Sequence, residues 1–69
     1  MNRLRELRKE RKITQIELQM QTGIEQALIS KYETGERVPP TETLVVLADF
    51  FDISIDYLLN RTDKREVNK

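Results

Sequence analysis

The chain has no cysteine and no histidine, so the usual zinc spacings and every thiol or imidazole nucleophile are absent. The acidic residues are spread along the chain without the pairing that general acid–base work needs. The two glycines, Gly23 and Gly35, sit singly at helix ends and form no phosphate-cradling loop. An enzyme reading therefore finds no site, and no metal or cofactor is expected. What remains is charge. Twelve Lys and Arg balance twelve Asp and Glu for a formal net charge of zero, which by itself argues against a polyanionic partner. The distribution is uneven. Residues 1–12 hold six basic residues (Arg3, Arg5, Arg8, Lys9, Arg11, Lys12) against two acidic ones, a net of +4. Residues 38–60 hold four acids (Glu42, Asp49, Asp52, Asp56) and no base, a net of −4, and residues 61–69 carry four bases against two acids, +2. Only one side of such a molecule suits a polyanion. Charge alone still favours the plainer reading of solvated helix faces.

The elements that carry these charges read as helices. Sixty-nine residues make one small domain, braced by packed apolar side chains because no disulfide is available. Asn2 caps a first helix marked by Leu4 and Leu7, which ends near Lys12. Thr14-Gln15-Ile16-Glu17 has the spacing of a capping box and opens a second helix, with Leu18 on its inward face and Gly23 at its end. A third helix runs from about Glu25 or Gln26 to Thr34, marked by Leu28, Ile29 and Tyr32, and Gly35 closes it. Val38-Pro39-Pro40 presets an extended connection. A fourth helix from about Thr41 carries Leu44, Leu47, Ala48 and Phe51. After the break at Asp52-Ile53, Ser54 caps a fifth helix from Ile55 to about Asn60. The expected architecture is an all-α, compact five-helix bundle over residues 1–60, followed by a polar, flexible tail over 61–69. The longest apolar run, Leu44 to Ala48, is too short to cross a bilayer. No apolar stretch follows the N-terminal basic residues, which argues against a secretory signal; a soluble, cytoplasmic protein is the expectation.

Two short helices joined by a glycine turn, the second closed by another glycine, outline a helix-turn-helix unit between Thr14 and Gly35. Many helical bundles share that outline. The residues in register are more specific: Leu7-Arg8, Ile13-Thr14-Gln15, Glu17-Leu18, Gly23-Ile24, Ile29-Ser30-Lys31-Tyr32-Glu33, Gly35, Arg37, Pro39, Thr43-Leu44, Leu47-Ala48 and Leu58-Leu59. Over roughly residues 3–60 the chain resembles the Cro/CI-like (XRE) family of lambda-repressor-type helix-turn-helix DNA-binding domains, in which helices 2 and 3 form the motif.

The resemblance implies sequence-specific double-stranded DNA binding by a transcriptional regulator, with a repressor role. The recognition helix, about 25–34, would lie in the major groove. Gln26, Ala27 and Lys31 share the outward face at its start. Glutamine suits adenine N6 and N7, alanine a thymine methyl, and lysine guanine or a phosphate. Leu28 is divided between a thymine contact and the core, and the reading sets it at the groove edge. Gln15 at the start of the second helix is implied to meet a phosphate, with Arg37, Thr34 and Arg11 as further backbone contacts. Arg8 and Glu33 are implied to form a partly buried structural ion pair between the first and third helices.

Three departures from the family pattern stand out. Gln19 replaces the usual alanine in the middle of the second helix, so its amide must reach solvent or find partners. Glu25 stands where Ser or Thr commonly caps the recognition helix; its carboxylate is placed to accept from the helix amides or from cytosine N4. Glu36 and Pro40 replace a frequent basic residue and a frequent serine cap. A near-neutral domain of this kind is expected to bind a short palindromic operator as a homodimer and to show a shallow salt dependence. Ile55, Tyr57 and Leu59 of the fifth helix are the candidates for self-association. The competing reading is a helical protein–protein interaction module, antitoxin-like or anti-regulator, that uses Ile16, Met20 and the region of Phe50, Phe51, Ile53 and Ile55 as its contact surface.

Overall fold

Five helices follow one another in the computed structural model, which describes residues 2–65: α1 Leu4–Glu10, α2 Gln15–Thr22, α3 Gln26–Thr34, α4 Thr41–Phe51 and α5 Ile55–Leu58. The fold class is all-α, as the helical punctuation requires. The capping box is formed as its spacing dictates. Thr14 Oγ1 accepts from the Glu17 amide at 3.1 Å, and Glu17 Oε1 accepts from the Thr14 amide at 3.0 Å. Gly23 at φ +79° and Gly35 at φ +83° terminate α2 and α3 in the left-handed region, where a Cβ is disfavoured. Ser54 caps α5 by accepting from the Tyr57 amide at 3.0 Å.

Two helix ends differ from the sequence reading. The first helix stops at Glu10 because Lys12 turns to φ +57°. The fifth stops at Leu58, with Asn60 at φ +63° and the Arg61 amide donating back to the Asp56 carbonyl at 2.8 Å. The N-cap position of α1 falls to Arg3, which makes no side-chain cap bond, and Asn2 stands one residue before it. Its Oδ1 accepts from the Leu4 amide while its Nδ2 donates to the Tyr32 carbonyl, both at 3.0 Å, which ties the start of α1 to α3.

One core holds the helices together. Leu18, Ile29 and Leu47 are fully enclosed, with Leu4, Leu58 and Tyr57 packed beside them. Burying side chains of this size contributes on the order of 1.5–3 kcal/mol each. Helix α3 packs on α2 and α1, while α4 packs on α2 and α5. The acids Glu42, Asp49, Asp52 and Asp56 are all exposed on α4, α5 and their connection, elements that are not the main neighbours of α3. No helix among the described residues is long and apolar enough to cross a membrane.

Residues 61–65 return to the bundle. The Ser54 amide donates to the Arg65 carbonyl at 3.0 Å, and the Arg65 guanidinium pairs with Glu10 through bonds of 2.6 and 3.0 Å. Arg3 reaches the Thr62 carbonyl and Asp63, and its guanidinium stacks 4.2 Å from the centre of the Tyr57 ring. The remaining residues of the expected tail, 66–69, lie outside the described residues.

Candidate nucleic-acid interface

The site grows outward from a buried carboxylate. Glu33, near the end of α3, has a side chain only 3% exposed, and Arg8 of α1 is 12% exposed. Arg8 Nε donates to Glu33 Oε2 at 2.7 Å and Nη2 to Oε1 at 3.1 Å. This bidentate geometry is the strong form of an Arg–carboxylate pair. A third donor from Arg8, Nη1, meets the Ile13 carbonyl at 2.9 Å. The hydrogen bonds to Glu33 hold the Arg8 proton more firmly than in a free arginine, against the opposing effect of burial. The pair locks α3 to α1.

From Glu33 the network runs to the surface. Gln15 Nε2 donates to Glu33 Oε1 at 3.1 Å, and Gln15 Oε1 accepts from Gln26 Nε2 at 2.6 Å. Each amide orientation is thereby fixed, because a carboxylate can only accept. Gln26 therefore reaches the surface with its carbonyl free of that chain and its nitrogen already in contact with Gln15. Ala27 and Lys31, one turn apart on α3, are exposed beside it.

At the far end of α3, Thr34 Oγ1 donates to the Lys31 carbonyl at 3.1 Å and accepts from the Glu36 amide at 3.4 Å. Its hydroxyl thus closes the helix. Lys31 Nζ lies 4.0 Å from Glu36 Oε2, an exposed pair that reduces the positive potential of this end. Arg37 is exposed, with its amide donating to the Lys31 carbonyl at 3.3 Å. Leu28 is half-buried and packs against the core. Arg11 is not drawn into the network. Its guanidinium lies 5.0 and 5.1 Å from the rings of Phe50 and Phe51, on the α4 side. The structure thus joins Arg8, Glu33, Gln15 and Gln26 in one chain of hydrogen bonds. It sets Ala27 and Lys31 next to that chain, and Thr34 and Arg37 at the end of α3.

This arrangement belongs to a known family. Residues 1–64 match the model of a helix-turn-helix domain. The chain is a member of the XRE-type, Cro/CI-like helix-turn-helix family. It is 43% identical over 61 residues to the HTH-type transcriptional regulator YobD of Bacillus subtilis, covering 88% of this chain and 54% of that protein. It is 41% identical over 66 residues to the cryptic phage CTXphi transcriptional repressor RstR of Vibrio cholerae, covering 93% and 59%. It is 34% identical over 67 residues to the HTH-type transcriptional regulator ImmR of Bacillus subtilis, covering 97% and 53%. The chain spans about half the length of these relatives. No solved structure matches it significantly.

Reading the residues alone missed one feature of the site. Glu25 occupies the N-cap of α3 yet makes no side-chain capping bond, so it does not accept from the helix amides. Gln19 takes that role from α2: its Oε1 accepts from the Gln26 amide at 2.7 Å. The two departures from the family pattern are thus one exchange of cap. The available signal was the spacing of Gln15 and Gln19, which stand one turn apart on the same face of α2.

Proposed function

We propose that this chain is the DNA-binding part of a transcriptional repressor that reads a short palindromic operator as a homodimer. Residues 1–60 form the binding unit, with α3 in the major groove, and the protein works in the cytoplasm. Gln26, Ala27 and Lys31 meet base edges, and Leu28 adds an edge contact from its half-buried position. Gln15, Thr34, Arg37 and Arg11 face the sugar-phosphate chain, Arg11 by swinging off the aromatic rings of α4. Arg8 and Glu33 hold the scaffold. The observation that carries this reading is the hydrogen-bonded chain from Glu33 through Gln15 to Gln26, because it presets a base-reading amide on a helix locked to the rest of the domain. Preorganised polar groups of this kind cost little ordering on binding. A body 30 × 22 × 20 Å across is also of a size to sit beside a second copy with recognition helices one turn, about 34 Å, apart.

The test is selection from a random-sequence duplex library with the chain itself. One enriched motif, arranged as an inverted repeat, is the expected outcome. A library that returns unenriched overturns the reading, and a single asymmetric motif bound at full affinity overturns the dimer.

The surface that the interaction-module reading needs is split among the described residues: Ile16 and Met20 are 52% and 77% exposed on α2, but Phe51 and Ile53 are buried in the core. Tyr57 is likewise buried, because its ring packs inward under Arg3 and Arg65. It therefore cannot serve self-association, and only Ile55 and Leu59 of the three candidates remain partly exposed.

A further inference from the structure

We infer that Gln19 is a positioning residue of the recognition helix, holding its first turn from the neighbouring helix in place of a local cap. The first amides of any helix have no acceptor within that helix, and Gln26 opens α3. Its N–H is satisfied by Gln19 Oε1 at 2.7 Å, while its side chain is held by Gln15 at 2.6 Å. Two glutamines one turn apart on α2 therefore grip the backbone and the side chain of the same residue. The local alternative is unused: Glu25 makes no capping bond and is exposed. The other capped helices differ, since α2 and α5 take their caps from their own Thr14 and Ser54. Among the described helices, α3 is the one whose first backbone amide is taken by a side chain of another helix, so loss of Gln19 releases the end from which base contacts are made.

The consequence for DNA rests on the DNA-binding reading, but the hydrogen bond does not. Amide exchange followed by NMR tests the bond directly, because the Gln26 N–H has no other acceptor to slow it. Gln19→Ala keeps a strong helix former in α2 and should raise the Gln26 exchange rate about fivefold, with the Ile29 amide still protected. Gln19→Glu retains an oxygen acceptor and should restore slow exchange. In DNA binding, Gln19→Ala should weaken affinity for the selected duplex about fivefold and leave affinity for an unrelated duplex unchanged. Unaltered exchange at Gln26 in Gln19→Ala overturns the inference. So does an equal loss on both duplexes, which would mean general weakening instead of positioning. A wild-type chain that shows no preference between duplexes fails the DNA-binding reading instead, and the Gln26 exchange rate still decides whether Gln19 holds the helix.

Discussion

At Glu33 a single carboxylate 3% exposed accepts from Arg8 Nε, Arg8 Nη2 and Gln15 Nε2. Removing it strands the Arg8 guanidinium in a half-dry site, and breaking one side of a buried pair typically costs about 3–5 kcal/mol. Glu33→Ala should therefore lower unfolding free energy by roughly that amount in urea titration; a loss under about 1 kcal/mol would mean that water solvates Arg8 there. Gln26→Ala removes a half-buried amide that donates to Gln15. It should cost about tenfold in affinity for the selected duplex and no more than about 1 kcal/mol of stability for the lost hydrogen bond, as read by fluorescence anisotropy and circular dichroism. The pairing of Arg8 with Glu33 was legible through resemblance alone. That Gln15 would bridge Glu33 to Gln26 was not, because it depends on α1, α2 and α3 converging at one point, and sequence spacing reports faces within a helix.

Among the elements, punctuation was the most legible feature. Thr14 with Glu17, Gly23, Gly35 and Ser54 mark ends that the structure keeps, since each solves a local problem of unpaired amides or positive φ. Ends set by non-glycine residues in the left-handed region were harder to read. Lys12 and Asn60 adopt φ of +57° and +63°; asparagine favours that region among non-glycine residues, whereas nothing in a lysine announces it. The cap of α3 was illegible for another reason, since its acceptor comes from a different helix. Gly35 gives a sharp test of the conformational argument. A Cβ there would meet nothing within 4 Å, so Gly35→Ala carries the left-handed penalty without a clash. It should destabilise by about 1–2 kcal/mol in chemical denaturation; a loss above about 3 kcal/mol would mean a packing conflict.

Across the whole molecule, charge is divided so that the acids of α4 and α5 stand apart from the helix that reads DNA. On the proposed assignment, which gives Arg37 and Arg11 to phosphates and Lys31 to base edges, the slope of log affinity against log salt should be roughly −2 per domain, and about −3 if Lys31 also neutralises a phosphate. A slope near −6 would require basic contacts beyond these. Residues 61–65 add a closure that the polarity of the segment hid. Glu10 is held below the usual carboxylate range, chiefly by its hydrogen bond from Arg65. A depressed carboxylate stabilises the closed arrangement above its unfolded pKa and loses that contribution as pH falls through its folded one. The contact should therefore persist at neutral pH and open in acid. Titration of the Glu10 carboxyl by 13C NMR should give a midpoint below the ordinary glutamate range, and Arg65→Ala should raise it toward that range.

The central claim is that the first turn of α3, preset by Gln15, meets the base edges. Titrating an isotope-labelled chain with the selected duplex tests it most directly. The side-chain amides of Gln15 and Gln26 and the backbone amides of Ala27 and Lys31 should shift together at one stoichiometric point. Shifts confined to α4 and α5, or to Ile16 and Met20, would contradict the claim.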